Sequence, residues 1–425
     1  MTFLEELRWR GFLQQCTDEA ALADLLARET VTAYIGFDPT ADSLHVGSLL
    51  PIMGLAHLQR HGHRPIAIAG GGTALVGDPS GKTEMRQLLT EERIAEHLVG
   101  IRGQLARFLD FGDPSLSDLP HGPVVRATRG NTGMLVNNAD WLRDLNYVEF
   151  LREIGRHFSV NQMLTRDSVK MRMETGLSFL EFNYMIFQAY DFYVLNRDHG
   201  CRLQMGGSDQ WGNIVSGVDL CRRVHQQEVF GLTFPLLQTA AGEKMGKTAA
   251  GAVWLSPART SPYDFFQYWV NVDDRDVSRF LRLYTLLPRP EIEDLESRKG
   301  ADIREAKRAL ARAVTTLVHG EEEAARAETA AQALFGGGGD DSTVPATEIL
   351  AARLGGEGLP LIEIMAECGL AKSKGEARRL IQQKGVKVNG VVVEVEMCAL
   401  TAADVAGGKI ALQVGKKRHQ HLVVV

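Results

Sequence analysis

One predicted helix in the middle of the chain carries a stripe of polar side chains on an otherwise apolar surface. In the segment FLEFNYMIFQAYDFYVL, Tyr184, Gln188 and Asp191 stand at i, i+4 and i+7, which places a phenol, an amide and a carboxylate on one face. Burying three polar side chains is costly unless they pair with one another or bind a ligand. The stripe is compatible with a satisfied core network or with a pocket for an amino or hydroxyl group, and Tyr34 at the first predicted strand favours the pocket.

A glycine-rich segment ahead of another predicted helix could contact phosphate. It contains the strings GGG and GDPSGKT. It is not a P-loop, because three residues instead of four separate Gly77 from Gly81, and Val76 holds the position that requires glycine. Lys82 and Arg86 lie four residues apart on one helical face, and both suit phosphate. An ordinary strand-to-helix turn with two surface cations is the alternative.

Two later loops carry related chemistry. Gln204 and Asp209 flank the pair Gly206-Gly207 after a short apolar strand, an arrangement that suits contact with a ribose or a carboxylate. Lys244 and Lys247 lie three residues apart in a polar loop after the string FPLL, where they could close on a polyphosphate. Taken singly, each loop is also compatible with an ordinary turn.

The elements around these loops predict an α/β domain. Val31–Gly36 is predicted as a buried strand, Val46–Arg60 as a helix and Pro65–Ala69 as a second strand. A strand, a helix and a strand within forty residues form a βαβ unit, which implies a parallel sheet with ligand loops at the carboxyl ends of its strands. Thr83–Phe111 and most of 139–199 are predicted to be helical.

The last third of the chain has a different pattern. Residues 265–335 show helical periodicity without a strand signal, and Gly336–Ser342 has the composition of a flexible linker. After Leu359 a helical pattern gives way to short β-branched runs, with a hairpin predicted at Asn389-Gly390. The layout is an α/β body, a helical domain, a linker and a small α+β module.

Composition narrows the class of protein. The chain has 425 residues and 46.7 kDa, with 44% hydrophobic and 24% charged residues, as expected for a soluble globular protein of two or three domains. Its five scattered cysteines include no CxxC pair and no zinc-ligand spacing, which argues against a disulfide scaffold or structural zinc and favours a reducing compartment. The N-terminal string MTFLEELRWRGF lacks the apolar stretch of a signal peptide, and no apolar run approaches the ~20 residues of a membrane span.

Charge is unevenly distributed. The net charge of −6 excludes a uniformly basic nucleic-acid coat. Leu359–Val425 holds ten basic and six acidic residues, a net of +4, which leaves −10 for Met1–Gly358. A basic end on an acidic body is typical of an appended module with an anionic partner, although charge alone equally allows a solvated face.

Four motifs together resemble one protein family. HVGS, from His45 to Ser48, is similar to the HIGH signature of class I aminoacyl-tRNA synthetases, and KMGKT, from Lys244 to Thr248, is similar to their KMSKS loop. The strings YIGFDPTADSLHVGS, GDPSGKTEMR, YMIFQAYDF and QMGGSDQWGN resemble the bacterial tyrosyl-tRNA synthetases in particular. The resemblance covers nearly the whole chain, including the basic tail, which is similar to the S-four-type RNA-binding domain of that family.

Two positions depart from the family signatures. Ser48 stands where HIGH has its second histidine, so a hydroxyl must replace that imidazole or its role must be dispensable. Gly246 replaces the serine of KMSKS, and we expect it to loosen the loop. Both signature lysines are kept, so no essential charge type is lost.

The resemblance implies a domain plan and a two-step reaction. The plan comprises a Rossmann-type catalytic domain with a parallel sheet (1–248), a helical dimerisation insertion within it (about 130–175), a helical anticodon-binding domain (249–335), a flexible linker (336–358) and a small α+β RNA-binding domain (359–425). Tyrosine and ATP would form tyrosyl-adenylate and pyrophosphate, and the tyrosyl group would then pass to the 3′ end of a tRNA. A cytoplasmic homodimer without membrane contact is expected.

The resemblance also implies roles for individual residues. Tyrosine-binding positions are Tyr34 and Asp191 at the phenol, Asp78, Tyr184 and Gln188 at the ammonium group, Gln210 at the carboxylate, and Gln204. ATP-binding positions are Asp38, Thr40, Gly47, Gly207, Asp209, Lys247, and Leu236 and Leu237 beside the adenine. Catalytic positions, chiefly for the leaving pyrophosphate, are His45, Ser48, Lys82, Arg86, Lys244, Lys247 and Thr248. Positions facing tRNA are Asn138 and Trp141 in the insertion and Lys372, Lys374, Arg378 and Arg379 in the tail. No metal ligand is expected, since Mg²⁺ would arrive with ATP and keep phosphate and water ligands.

Two alternatives remain at the level of sequence. A tryptophan-charging relative is disfavoured by Tyr34 and Asp191, because an indole needs one acceptor and not a donor–acceptor pair matched to a phenol. A catalytically idle paralogue that only binds RNA is disfavoured because His45, Lys82 and Lys247 are all present.

Overall fold

The structure is a computed structural model that describes residues 1–78, 89–112, 124–128, 130–242, 245–248, 251–335, 345–356, 358–395, 397–415 and 418–425. It divides into two compact units, Met1–Glu328 and Thr329–Val425. Within the described ranges, no helix is long and apolar enough to cross a bilayer.

A six-stranded sheet forms the centre of the first unit. Its strands are β1 (Gln15–Cys16), β2 (Thr32–Phe37), β3 (Arg64–Ala69), β4 (Met134–Asn137), β5 (Cys201–Gly207) and β6 (Phe230–Phe234). Their order is β1-β6-β5-β2-β3-β4, and all neighbours run parallel except β1, which pairs antiparallel with β6. The predicted parallel sheet and both predicted strands are therefore confirmed. The sequences TAYIGF and RPIAIA of β2 and β3 are almost wholly buried, as expected for parallel strands covered on both faces.

Helices cover the sheet and continue beyond it. They are α1 (Phe3–Arg10), α2 (Glu19–Arg28), α3 (Leu49–Arg60), α4 (Glu91–Phe108), α5 (Ala139–Leu142), α6 (Tyr147–Glu153), α7 (Val160–Leu164), α8 (Asp167–Thr175), α9 (Phe179–His199), α10 (Trp211–His225), α11 (Pro262–Val270), α12 (Val277–Tyr284), α13 (Arg289–Ser297), α14 (Ile303–His319) and α15 (Glu321–Phe335). The helix predicted at Val46–Arg60 is present, but Val46–Ser48 forms a separate 3₁₀ turn and the α-helix runs over Leu49–Arg60. Of the helix predicted at Thr83–Phe111, residues 83–88 lie outside the described part of the chain.

Local signals fix the ends of α9, the helix with the polar stripe. Ser178 and Glu181 form a capping box at its start, each side chain accepting a backbone N–H of the other. Gly200 ends the helix in the left-handed conformation with φ of 62°. The stripe is thus held at a fixed rotation beside β5, which begins at the next residue.

The helical region from α11 to α14 packs around aromatic rings. Trp269 and Tyr284 lie with ring centroids 5.0 Å apart and both are buried. Arg10 of α1 reaches this region and donates to the carbonyl oxygens of Thr285 and Leu287, which satisfies backbone acceptors after the end of α12. The helical character predicted for 265–335 is confirmed.

The second unit is a small α+β fold. Its helices are α16 (Leu361–Glu367) and α17 (Lys374–Gln382), and its strands are β9 (Ala346–Ile349), β10 (Leu359–Pro360), β11 (Val386–Val388), β12 (Val391–Val392), β13 (Ala399–Leu400), β14 (Lys409–Val414) and β15 (Arg418–Val424). The numbers β7 (Lys247–Thr248) and β8 (Gly251–Ala252) belong to a short hairpin in the first unit. Five strands form a sheet in the order β12-β11-β14-β15-β9. The predicted hairpin is confirmed, with Asn389 and Gly390 at φ of 50° and 82°, as a two-residue turn requires.

Part of the segment predicted as a flexible linker, 336–358, forms a strand in the structure. Residues 336–344 lie outside the described part of the chain, but Ala346–Ile349 forms β9 and pairs in parallel with β15. The second half of 336–358 therefore belongs to the small α+β fold. A flexible composition marked the glycine run, and the alternating pattern of the four-residue strand was too short to detect.

Candidate active site

A cavity of about 480 Å³ opens at the carboxyl edge of the six-stranded sheet, within the first unit. This edge includes the ends of β2 and β5, where the strand order reverses, the usual ligand site of such sheets. The sequence-predicted residues that line the cavity are Tyr34, Asp38, Thr40, His45, Gly47, Ser48, Asp78, Asn138, Tyr184, Gln188, Asp191, Gln204, Gly207, Asp209 and Gln210. The polar stripe of α9 thus faces a cavity and not a closed core network.

The deep end of the cavity combines a phenol and a carboxylate. Tyr34 is 2% exposed, and its hydroxyl has no hydrogen-bond partner among the described residues. Asp191 is 4% exposed, and its two oxygens accept from the Asn138 amide at 3.0 Å and the Trp141 indole N–H at 2.8 Å. Burial raises the pKa of Asp191 to about 7, against the lowering effect of these two donors. An incoming hydroxyl could donate to Asp191 and bond to Tyr34 at the same time.

A second set of polar groups holds acceptors on another part of the cavity wall. Gln210 donates to an Asp78 oxygen at 2.8 Å, and Asn213 donates to Gln188 at 2.8 Å and to Gln210 at 3.2 Å. The Asp78 carboxylate and the carbonyl oxygens of Gln188 and Gln210 therefore each accept an amide N–H, and each can accept a further hydrogen bond. Tyr184 lies beside them, and burial raises its pKa well above the ordinary value, so the phenol stays neutral. This wall suits an ammonium group.

The wall near α3 offers hydrogen-bond donors. His45 caps the turn before α3, and its Nδ1 accepts from the backbone N–H of Gly47 at 3.0 Å. The accepting nitrogen is unprotonated, so a neutral imidazole carries its proton on Nε2. A Cβ at Gly47 would lie 2.7 Å from the His45 ring, which explains why glycine is needed there. Together with the N-terminus of α3, this wall suits anionic oxygens.

Gly246 contacts the same wall. Its φ of 79° is one that L side chains rarely adopt, and a Cβ there would lie 3.0 Å from the backbone nitrogen of Gly47. The departure from KMSKS therefore has a positional reason: glycine allows this turn to pack against the HVGS segment. This close contact argues against the expectation that Gly246 loosens the loop.

The remaining predicted positions fall in three groups. Lys82, Arg86 and Lys244 lie outside the described residues, and for Lys247 and Thr248 the structure describes only the backbone, as part of the β7–β8 hairpin. Leu236 is 58% exposed and lies within contact distance of a Cβ at Gly207, on the rim of the site, and Leu237 accepts the backbone N–H of Met245 at 3.2 Å. The described residues contain no group of three or more His, Cys, Asp and Glu side chains placed to hold a metal ion.

Asn138 and Trp141, which the resemblance placed facing tRNA, both bond to Asp191 in the structure. Asn138 is 1% exposed and bonds to Asp191 and to the backbone N–H of Gly72, at 3.0 and 2.8 Å. The indole N–H of Trp141 donates to the same carboxylate. Both side chains therefore hold the Asp191 carboxylate in place, Asn138 at the cavity wall and Trp141 behind it, and a role toward tRNA stays a prediction. Asn138 directly follows β4, which ends at the same edge as β3, and that signal would have placed it correctly.

Sequence reasoning missed three residues of the site. Thr73 accepts from Asn138 at 3.0 Å and lines the cavity, Asn213 fixes the amides of the ammonium wall, and Trp254 lines the cavity beside His45. Asn213 stands one helical turn after Gln210, a spacing that could have indicated a shared face. Trp254 follows the signature loop by several residues, and no local pattern marked it.

In the second unit the four predicted tail cations are all exposed. Lys374 begins α17 and pairs with Glu363 at 2.5 Å, and Arg378 and Arg379 lie on the same helix. Lys372 stands two residues before α17. The helix thus presents a basic surface to solvent.

Comparison with known proteins defines the class. The family described as class I tRNA synthetases (W and Y) matches residues 26–336, and the S4 domain family matches residues 359–397. Since the first match covers most of the chain, the protein belongs to the class I tRNA synthetases.

Individual relatives narrow the class further. The chain is 52% identical to Tyrosine--tRNA ligase from Desulfosudis oleivorans over 447 aligned residues, covering 100% of this chain and 99% of the relative. It is 53% identical to Tyrosine--tRNA ligase from Rhodospirillum rubrum, covering 98% and 96%. A C-terminally truncated mitochondrial tyrosyl-tRNA synthetase from Aspergillus nidulans matches with a TM-score of 0.69 and 32% identity, over 79% of this chain and 94% of that one. The predicted resemblance to bacterial tyrosyl-tRNA synthetases is confirmed.

Proposed function

We propose that the protein activates L-tyrosine with ATP and transfers it to tRNA(Tyr), as a tyrosine–tRNA ligase. The observation that carries the proposal is the deep end of the cavity, which is lined by both Tyr34 and Asp191 in buried surroundings. A phenol is the ligand group that satisfies both. Phenylalanine would leave the Tyr34 hydroxyl unpaired and would give Asp191 no donor, and an indole N–H would satisfy only the acceptor.

Tyrosine orientation follows from the two ends of the pocket. With the phenol at Asp191, the amino group would face the wall of Asp78, Tyr184 and Gln188, and the carboxylate would lie near Gln210. Gln204, whose Oε1 has no partner among the described residues, borders the same space. The reacting carboxylate would then point toward the His45 wall.

Activation is a nucleotidyl transfer. One carboxylate oxygen of tyrosine attacks the α-phosphorus of ATP, a new P–O bond forms, and the bond to the pyrophosphate oxygen breaks. Such a reaction gains mainly from positioning and from donors aimed at developing charge. The Nε2–H of His45, the N-terminus of α3 and the signature cations Lys82, Arg86, Lys244 and Lys247 would stabilise the leaving pyrophosphate. Mg²⁺ would enter with ATP, held by phosphate oxygens and water, and would neutralise phosphate charge.

The proposal is tested by measuring the attachment of tyrosine to tRNA. The purified protein, ATP and radiolabelled tyrosine should esterify bacterial tRNA, with label released by mild base, because the product is a tRNA ester. Labelled tryptophan in a parallel reaction should give no charged tRNA. Charging with tryptophan alone would assign the protein to the tryptophan branch of its family.

The raised pKa of Asp191 predicts a pH dependence of tyrosine binding. Because the native pKa is about 7, the carboxyl becomes protonated as pH falls below 7 and can no longer accept bonds at every oxygen. Only the ionised form would bind the phenol well, so the dissociation constant for tyrosine should rise about tenfold between pH 8 and pH 6. Calorimetry across this range measures it, and Asp191→Asn, which cannot titrate, should show a flat profile. An equal pH dependence in that variant would contradict the assignment.

The family resemblance also suggests roles for the helical region and the C-terminal α+β module. We assign anticodon recognition to the helical region 249–335 and tRNA binding to the basic α+β module 359–425, whose α17 carries Arg378 and Arg379. The match of residues 359–397 to the S4 domain supports the second role. A cytoplasmic location is proposed because translation supplies the tRNA there.

We further propose that the insertion mediates homodimer formation. Large apolar side chains are exposed along α6, α7, α8 and the start of α9: Tyr147, Val148, Leu151, Val160, Leu164, Met171, Met173, Phe179 and Leu180. An apolar surface of this extent is unusual for a monomer. A second copy is the proposed occupant, because the surface lies within and next to the segment that the family resemblance marks for dimerisation.

Phe179→Asp is expected to produce a monomer, because Phe179 is 72% exposed and a charge at an apolar interface would be buried without a partner. Sedimentation of the wild type and the variant at micromolar concentration measures the change in mass. Val99→Asp is the matched control, since Val99 is 75% exposed on α4, outside the insertion. If Phe179→Asp and the wild type sediment with the same mass, this surface is not the interface.

A further inference from the structure

Trp254 is tied to His45 through the backbone. The two residues form an antiparallel bridge, and the N–H of Val46 donates to the carbonyl of Val253 at 2.9 Å. On the other side, the N–H of Leu255 donates to the carbonyl of Leu44 at 2.9 Å. Both neighbours of the signature histidine are therefore fixed to both neighbours of Trp254.

The side chains meet as well. The indole and the imidazole lie edge to face, with centroids 6.2 Å apart and planes at 67°. Arg259 stacks its guanidinium 4.7 Å from the centroid of the same indole and pairs with Asp42 at 2.5 Å. The indole therefore lies next to both the Arg259 guanidinium and the His45 imidazole, at the wall of the cavity.

We propose that Trp254 is a positioning residue for adenylate formation, holding the His45 ring so that its Nε2–H faces the phosphates of ATP. This inference depends on the proposed activation reaction. The hydrogen bond from Gly47 determines which nitrogen of His45 carries the proton, and the indole restricts how the ring plane tilts about that bond. Arg259 restricts the indole in turn, since a cation over an aromatic face opposes its rotation.

The expected effect on kcat follows from the edge-to-face contact between Trp254 and His45. Edge-to-face aromatic pairs contribute about 0.5–1.5 kcal/mol beyond area burial, which corresponds to a change of roughly twofold to tenfold in rate. We therefore expect Trp254→Leu to lower kcat for tyrosine-dependent exchange of pyrophosphate into ATP about tenfold. Trp254→Phe, which keeps an aromatic ring, should lower it about threefold or less. The KM for tyrosine should stay within about twofold, because the phenol and ammonium walls are untouched.

The decisive comparison repeats both substitutions in a His45→Asn background. If Trp254 acts through the imidazole, Trp254→Leu should there change kcat by less than about twofold, since coupled residues show non-additive effects. An equal fold-loss in both backgrounds would overturn the proposal and assign Trp254 to direct ATP contact or to folding. A rise in the KM for tyrosine with unchanged kcat would overturn it too.

Trp9→Leu is the matched control. Trp9 also lies under guanidinium groups, with Arg282 at 5.3 Å and Arg289 at 5.1 Å, but it stands on α1 away from the cavity lining. Its substitution should leave exchange kinetics unchanged, and a loss equal to that of Trp254→Leu would overturn the positioning role. Wild-type protein without tyrosine-dependent exchange would contradict the proposed function itself, whereas wild-type exchange with no sensitivity to Trp254 would contradict this inference alone.

Discussion

Asp191→Ala and Tyr34→Phe should together collapse the preference for tyrosine over phenylalanine. In the wild-type pocket, phenylalanine would leave a buried carboxylate and a buried hydroxyl without a ligand partner. Tyrosyl-tRNA synthetases are themselves the standard example of this effect, with discrimination of about 10⁵, and we adopt that size. Once both polar groups are gone, discrimination should fall to about 10² or less, the level that an apolar pocket achieves against a single hydroxyl.

The measurement is the ratio of kcat/KM for the two amino acids in ATP–pyrophosphate exchange. Asp198→Asn is the matched control, because this carboxylate lies on the same helix but pairs with Arg197 at the surface. It should leave the ratio unchanged. A double variant that still prefers tyrosine by about 10⁵ would show that the phenol is recognised elsewhere.

Removing the C-terminal α+β fold should leave adenylate formation intact and cripple transfer to tRNA. Because β9 pairs with β15, the deletion must begin at Pro345 and not at Leu359, so that no unpaired strand is left behind. The cavity lies wholly within Met1–Glu328, and a C-terminally truncated relative has been solved with the same fold. The first reaction should therefore proceed at an unchanged rate.

The salt dependence of tRNA affinity tests whether lost phosphate contacts explain the loss of transfer to tRNA. Each phosphate contact removed should lower the slope of log affinity against log salt by about 0.9 for duplex and about 0.7 for single-stranded RNA. The double substitution Arg378→Gln and Arg379→Gln, on the exposed face of α17, should reproduce part of that change in the full-length chain. Equal affinities and parallel slopes with and without the module would reject an RNA-binding role and leave it an aid to solubility or dimer stability.

Strong local patterns made much of the fold predictable. The apolar run around Tyr34 and the βαβ spacing gave the central strands, and the Asn389-Gly390 dipeptide gave the hairpin. The i, i+4, i+7 stripe placed Tyr184, Gln188 and Asp191 around one cavity, because helix periodicity fixes relative directions. Signals of this kind are local, and they survive in any tertiary context that keeps the element.

What escaped prediction depends on contacts distant in sequence. Asn138 and Trp141 reach Asp191 across 53 and 50 positions, and Trp254 reaches His45 through a β-bridge that no periodicity marks. The glycine at 246 is explained only by its approach to Gly47, again a long-range contact. Residues that orient other site residues are set by tertiary packing, so sequence patterns identify the groups that face a ligand more readily than those that hold them.

The most direct measurement is amino-acid-dependent exchange of labelled pyrophosphate into ATP by the purified full-length protein, with tyrosine, phenylalanine and tryptophan tested in parallel. Tyrosine should support rapid exchange, and phenylalanine and tryptophan should support exchange at least about 10⁴-fold less efficiently by kcat/KM. Exchange that depends on tryptophan, or no exchange with any of the three, would contradict a pocket built from Tyr34 and Asp191 to activate tyrosine.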